Sequence, residues 1–300
     1  MYTLTCIDNP FTGLIYQRFT FPQFRPHLEV LKAEASTVAI AASDSHKPIG
    51  LALAEIQPDG ESAEVLSIFV EPTYRCQGVG TALFTRLEQE LVSRGCTSAN
   101  LVYITGQPTT PALERLLQQH NWTPPEPRML VCKCNRKMLE ALWLNKNYSF
   151  PPSFAFFPWQ EITPEERLNL QKQQETFPWI PDELNPFQHE ENLEPLNSLG
   201  LRYEGEVVGW VITHRLSPDT IRYTCSYIRP DLQKVGRILS LYAESIKLHG
   251  AKPEIPNAIW TVPFKFKSMA NFVKKRMGEY MDSVEESRGS FKSFSHGVQS

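Results

Sequence analysis

Residues Arg75-Cys76-Gln77-Gly78-Val79-Gly80 stand between an apolar run, Val65 to Val70, and an amphipathic stretch from Thr81 to Arg94. Few arrangements accommodate that order. A strand that ends in an R-x-x-G-x-G turn and opens a helix leaves several backbone N–H groups unpaired, at a point where the helix dipole adds positive potential. This is a cradle for an anion, and a phosphate or pyrophosphate fits it. Gly78 and Gly80 let the backbone approach a ligand where a Cβ would block it, and Arg75 adds a fixed positive charge. Two other phosphate motifs are missing: there is no G-x-x-x-x-G-K-[ST], and Leu83 stands where G-x-G-x-x-G needs its third glycine.

The neighbourhood reads as alternating strands and helices. Val79, Ala82, Leu83, Leu87, Leu91 and Val92 form one helical stripe that packs on a sheet, and Gly95 closes the helix. Ala99 to Ile104 is the next strand, Pro111 to His120 a short helix, and Met129 to Cys134 the last strand, after the turn Pro124-Pro125-Glu126-Pro127. With 300 residues and 41% hydrophobic content the chain has room for about two domains with real cores.

The contexts of Gly50 and Gly209 match, with strand-like apolar residues on both sides, and each glycine precedes a second one, Gly78 or Gly236, by twenty-eight or twenty-seven residues. Pro72 and Pro230 each stand six residues before that second glycine. A duplicated fold explains the coincidence. In the second half, Thr163-Pro164-Glu165-Glu166 is a capping box that starts a helix through about Gln173. Strands follow at Leu201–Tyr203, Val207–Thr213 and Ile221–Ile228, then a helix from Gly236 to Leu248, a strand at Ala258–Val262, a helix at Ser268–Arg276 and a final strand at Gly289–Phe294. The segment from Asn145 to Phe157, rich in Pro and Phe, reads as a packed linker within 141–158, so domains are expected at 1–140 and 159–300.

The motif at Arg75–Gly80 resembles motif A of the GNAT superfamily, the acyl-CoA-dependent N-acyltransferases, whose pattern is [RQ]-x-x-G-x-[GA] after a splayed strand. The resemblance implies two tandem GNAT-like domains of mixed α/β class, each a mostly antiparallel twisted sheet with a splayed central strand pair and flanking helices. It also implies acetyl-CoA or another acyl-CoA as co-substrate. The backbone of Ile68, Phe69 and Val70 would pair with the pantetheine arm, and Arg75, Cys76, Gln77, Gly78, Val79, Gly80, Thr81 and Ala82 would form the pyrophosphate loop. In the second half Gln233, Gly236 and Ile238 replace Arg75, Gly78 and Gly80. Ile238 puts side-chain bulk where backbone should meet pyrophosphate, so that half is expected to bind CoA poorly.

An amine such as lysine, with an ordinary pKa of about 10.4, must lose a proton before it attacks a thioester. Glu64, eleven residues before Arg75 on the same strand, can take that proton, and histone-acetyltransferase members of the family use a glutamate at this place as base. A solvent-facing strand residue is the plainer reading of Glu64; Glu61 and Glu71 are weaker candidates. The second half has Arg222 there, which cannot act as a base. The family tyrosine that protonates the leaving thiolate falls on Leu117, and the Gly-Phe of that segment is replaced by Asn121-Trp122, so Tyr103 and His120 are the substitutes to test. For His120, a helix C-terminal residue complementing the dipole is the alternative. Cys76 could pass for a nucleophile, but no Cys/His or Ser/His/Asp arrangement supports it.

The six cysteines lack C-x-x-C spacing, and neither a metal nor a structural disulfide is expected. A formal net charge of −3 without dense Lys/Arg blocks gives no footprint for nucleic acid or a membrane surface. With no basic segment followed by an apolar core at Met1–Cys6, a soluble cytoplasmic chain is expected. Asp182, Glu183, Glu190, Glu191 and Glu194 form either an acidic loop that attracts a cationic amine or a solvated surface; Phe177, Trp179, Phe187 and Trp210 form either a pocket or core. The acceptor is a small-molecule or protein amine. Three functions compete: acetyl transfer to that amine, an acyl-CoA-binding or interaction module without turnover, and a nucleotide-phosphate binder of another class.

Overall fold

The computed structural model describes residues 1–32, 35–144, 151–233 and 237–294. Gly236 and Asn145, named above as the start of a helix and of a linker, lie outside them. In the first half the elements are β1 (Tyr2–Ile7), α1 (Pro10–Ile15), α2 (Arg25–Glu29), β2 (Thr37–Asp44), β3 (Lys47–Ile56), β4 (Ser62–Val70), α3 (Val79–Ser93), β5 (Ser98–Ile104), α4 (Thr110–Gln119) and β6 (Glu126–Cys134). The second half holds β7 (Phe154–Pro158), α5 (Pro164–Thr176), β8 (Leu199–Tyr203), β9 (Glu206–Ser217), β10 (Thr220–Ile228), α6 (Pro230–Gln233), α7 (Arg237–Gly250), β11 (Asn257–Pro263), α8 (Lys267–Phe272) and β12 (Ser283–Ser293).

These elements form two compact units, one of Met1–Arg128 with the segment that starts at Glu286, the other of Met129–Glu285. In the first unit the strand order is β1-β2-β3-β4-β5-β12, antiparallel except for β4 with β5. Alternation along β2 divides its core: Val38, Ile40 and Ala42 meet Leu83, Leu87 and Leu91 of α3, while Ala39 and Ala41 meet Phe19, Leu28 and Leu31 on the other face. The second unit repeats the plan as β7-β8-β9-β10-β11-β6, with only β10 and β11 parallel.

Both units reproduce the duplication in detail. A Cβ on Gly50 would lie 2.8 Å from the Phe69 carbonyl oxygen, and one on Gly209 3.0 Å from that of Tyr227, so each glycine sits where a neighbouring strand crosses closely. Each parallel strand also carries a bulge at the matching place. Leu66 is skipped in the β3–β4 register and Thr224 in the β9–β10 register.

The closing strands depart from expectation. Met129–Cys134 was expected to finish the first half, yet it pairs with β11, from Met129 opposite Pro263 to Cys134 opposite Ala258. The strand expected to finish the second half lies along β5 instead, from Ser287 opposite Ile104 to Ser293 opposite Ser98. Alternation tells which face of a strand is buried and says nothing about which neighbour it finds. Phe154–Pro158, read as linker, is an edge strand on β8, a position that tolerates Pro158. The capping box holds: Thr163 Oγ1 accepts from Glu166 N–H at 3.2 Å, and Glu166 Oε2 accepts from Thr163 N–H at 2.8 Å. The helix expected at Ser268–Arg276 passes from α8 into a π turn at Val273–Met277.

A polar network crosses the core of the second unit. Asn197 Nδ2 donates to Tyr223 Oη and Ser245 Oγ, both at 3.2 Å, and Thr213 Oγ1 donates to Asn197 Oδ1 at 2.7 Å. His249 closes it, with Nε2 at 2.9 Å from the Ile255 carbonyl and Nδ1 at 3.4 Å from Tyr223 Oη. Nε2 therefore carries the proton and Nδ1 accepts. Burial lowers the pKa of His249, with Arg215 and Arg136 adding to the effect and the Ile255 carbonyl and Glu194 opposing it. Because the unfolded chain takes up the proton first, stability is full above the ordinary histidine value of about 6.5 and falls as pH drops below it, by up to about 1.4 kcal/mol per pH unit. Urea unfolding at pH 7.5 and 5.0 should show this loss. His249→Gln should reduce the slope and leave the part due to His214, whose pKa burial also lowers.

Candidate active site

Strand β4 delivers the chain to a 3-10 turn at Pro72–Tyr74, after which Arg75 is extended, Cys76 has φ +60° and Gly78 has φ +79°. A non-glycine residue in the left-handed region costs about 1–2 kcal/mol. Left-handed residues alternating with right-handed ones can turn successive N–H groups inward as an anion-binding nest, and Cys76 and Gly78 place two left-handed residues here. Among the described residues, nothing accepts a hydrogen bond from the backbone N–H of Cys76, Gln77, Gly78, Val79, Gly80 or Thr81; regular helix bonding begins with Ala82 N–H to the Gly78 carbonyl at 3.0 Å.

The glycines are not required by protein packing. A Cβ on Gly80 would meet only Val70 Cγ2, at 3.7 Å, and one on Gly78 only Tyr2 Oη, at 3.9 Å. Gly78 is explained by its positive φ. Gly80 lies inside the helix, where glycine costs about 1 kcal/mol against alanine, and the space beside it suits a ligand that must reach the backbone. Arg75 is braced rather than free, its Nε donating to the Val70 carbonyl at 3.0 Å with its guanidinium 5.6 Å from the Phe69 ring centroid. Gln77 Nε2 donates to the Thr73 carbonyl at 2.9 Å and stiffens the same turn. These residues fit a pyrophosphate.

Strands β4 and β5 pair only from Ser62 opposite Ser98 to Val65 opposite Leu101, yet β4 continues to Val70 and β5 to Ile104. Beyond Val65 they splay. Ile68, Phe69 and Val70 line one side of that opening with the cradle at its tip. Glu64, exposed, is the last residue but one before the splay; Glu55 stands directly opposite it on β3 and Asn100 on β5. Like charges directly opposite are unfavourable, and a cation between them relieves that. Glu55, which sequence reading missed, is 3.7 Å from His27 Nδ1. Only the strand register reveals it.

Tyr103 and His120 are both engaged elsewhere. Tyr103 Oη donates to Glu114 Oε1 at 2.7 Å, and burial, then Glu114, raises its pKa. His120 Nδ1 lies 3.0 Å from Glu88 Oε2, while Glu88 Oε1 also accepts from Trp122 Nε1 at 2.7 Å and Lys292 Nζ at 2.8 Å. Glu88 is nine residues into α3, roughly 13 Å along it from the cradle. Leu117 is fully buried. Asn121 adopts φ +57°, the left-handed conformation that the glycine of the family segment supplies.

The second unit keeps the scaffold and changes the contents. Gln233 Nε2 donates to the Ile228 carbonyl at 2.9 Å, the same brace that Arg75 makes to Val70. Ile238 packs against the core. Three of the acidic residues hold structure: Glu194 pairs with Arg215, Glu190 with Arg167 and Trp159, and Glu183 with Lys265. Trp210 is buried core, Trp179 and Phe187 pack against that cluster, and Phe177 is exposed. Among the described residues no group of His, Cys, Asp and Glu could hold a metal ion, and no helix is long and apolar enough to cross a membrane.

Residues 2–122 match the acetyltransferase (GNAT) family model. No curated protein is detectably similar in sequence. Among solved structures, the tandem GNAT protein from the clavulanic acid biosynthesis pathway, solved without AcCoA, superposes with a TM-score of 0.64 at 11% identity over 98% of each chain. A GCN5-related N-acetyltransferase from Sphaerobacter thermophilus gives 0.65 at 17% identity, over 99% of this chain and 97% of that one. At such identities the likeness is one of fold. Residues 2–122 are thus a domain of the GNAT acetyltransferase family, a family of acyl-CoA-dependent N-acetyltransferases, and the chain as a whole has the tandem GNAT fold.

Proposed function

We propose that the first unit transfers an acetyl group from acetyl-CoA directly to a primary amine, with Glu64 as general base. The observation that carries the reading is the splay of β4 from β5 above Val65, ending in unpaired N–H groups beside the open space at Gly80. Acetyl-CoA would supply the activated acetyl group, and its thiolate, with a thiol-like pKa of about 8.5, leaves without a strong acid. The backbone of Ile68 to Val70 holds the arm, and residues 75–82 hold the pyrophosphate. Glu64 takes a proton from the acceptor ammonium, directly or through water, and Glu55 across the strand strengthens the pull on that cation. Tyr103, on β5 just past the end of its pairing with β4 and kept neutral by burial and Glu114, is the proton donor to test; His120, tied to Glu88 far along α3, positions the helix.

A second reading, an acyl-CoA-binding module without turnover, rests on Leu117, an inert side chain at the place of the family's acid. Isothermal titration with acetyl-CoA, followed by a thiol-release assay over amines, peptides and amino sugars, separates the two. One site per chain with thiol release dependent on an amine is the expected result. One site without release from any amine would favour the module, and no binding would overturn both.

A further inference from the structure

The cross-strand row that holds Glu64 has a counterpart in the second unit, and its charge is reversed. In the first unit the row reads Glu55, Glu64, Asn100 across β3, β4 and β5. At the equivalent register of the second it reads His214, Arg222, Ile259 across β9, β10 and β11, with Lys133 of β6 beside Ile259. Directly opposed residues share a face, so this row is basic where its copy is acidic.

Arg222 is also short of a partner. Arg167, Arg202, Arg215 and Arg229 of the same unit each hold a carboxylate, and Lys133 holds Glu285 at 3.3 Å. Among the described residues Arg222 has no ion pair, and its Nε is shielded from solvent without a hydrogen-bond acceptor. A buried donor left unmade is costly, more so on a charged group. The neighbouring wall is rigid: His214 Nε2 donates to the Glu191 carbonyl at 3.1 Å, and its Nδ1 accepts from Thr224 Oγ1 at 2.8 Å. Pairing of β10 with β11 ends at Tyr223 opposite Trp260, so Arg222 stands at the mouth of the second splay. A planar, always charged fork in that position suits an oxyanion that presents two oxygens to it.

We propose that Arg222 is the centre of an anion site in the second unit, which grips a carboxylate or phosphate group at two points and makes this copy a binding module for an acidic ligand. The inference does not rest on acetyl transfer in the first unit.

The test follows the arginine Nε–H resonances of the full chain, labelled with 15N-arginine, during titration with succinate and with inorganic phosphate at ionic strength matched by sodium chloride. One Nε–H signal should shift saturably, and Arg222→Gln should remove both that signal and the response. Arg222→Lys, which keeps the charge and the fold but not the fork, should bind about tenfold more weakly. Gly80→Ile should leave the response unchanged, which separates it from phosphate in the first unit's cradle. Saturation by succinate alone, by phosphate alone or by both supports the site and identifies the group it prefers. A response equal to that of sodium chloride, or one that persists in Arg222→Gln, overturns the proposal.

Discussion

Gly80→Ile should abolish acetyl-CoA binding and leave the fold intact. A Cβ at this position meets only Val70 Cγ2, at ordinary contact distance, so no backbone stands in the way of a side chain there. What it would fill is the space through which, on the proposed function, a pyrophosphate would reach the N–H groups at the start of α3. Each hydrogen bond to a charged group contributes about 1.5–3 kcal/mol, so losing two weakens binding by at least about 100-fold. Removing glycine from a helix meanwhile stabilises the fold by a few tenths of a kcal/mol to about 0.5 kcal/mol. Calorimetric titration should therefore show no heat in the micromolar range while the melting temperature stays level or rises. Unaltered affinity would refute the cradle. Gly78 is a poorer test, because any side chain there also strains a φ of +79°.

Glu64→Gln should separate binding from chemistry. Acetyl-CoA affinity is expected to stay within about twofold, since Glu64 lies in the paired part of β4, before the strand opens. The rate constant for amine acetylation should fall by about 10²–10⁴-fold, the usual contribution of a positioned base. Residual activity should then rise about tenfold per pH unit until the amine is deprotonated, because only the free base can attack. Stability gives an internal control. Removing a charge directly opposite Glu55 relieves a cross-strand repulsion worth some tenths of a kcal/mol, so the variant should unfold no earlier than wild type. A variant with full turnover would remove Glu64 from the reaction and shift attention to Glu55 or to water.

Much of the cradle was legible because its signals are local. The stripe from Val79 to Leu91, the glycines at 78 and 80 and the capping box at Thr163 each depend on residues within a turn or two of one another; the capping box stands, and Val79, Leu83, Leu87 and Leu91 are buried as read, while Val92 is exposed and Phe84 takes its place in the core. The repeat was legible for the same reason, since Gly50 and Gly209 stand in matching local sequence, and each lies against the carbonyl of a neighbouring strand. Long-range pairing was not. Glu55 came to face Glu64, and β6 and β12 came to lie beside β11 and β5, through registers that no local pattern encodes. Phe154–Pro158 was hidden by Pro158 and by the Pro151-Pro152 pair just before it; an edge strand accepts a proline where a central strand does not. The bulges at Leu66 and Thr224 left no mark in composition, and the splay they accompany was expected from the family resemblance alone.

The placing of β12 beside β5 also has a consequence in time. Ser98 and its partner Ser293 are almost two hundred positions apart, so the sheet that carries the cradle stays open at one edge while the entire second half is synthesised. At the usual 5–20 residues per second that interval is roughly 10–40 s, during which β5 presents unpaired N–H and C=O groups to whatever surrounds it. The first half is thus the first to be made and cannot be the first to be finished. A second copy with Ile238 in place of the motif's last glycine still decides when the first one closes, and a chain cut back to Asp282 would lose a strand from the unit it appears to leave untouched.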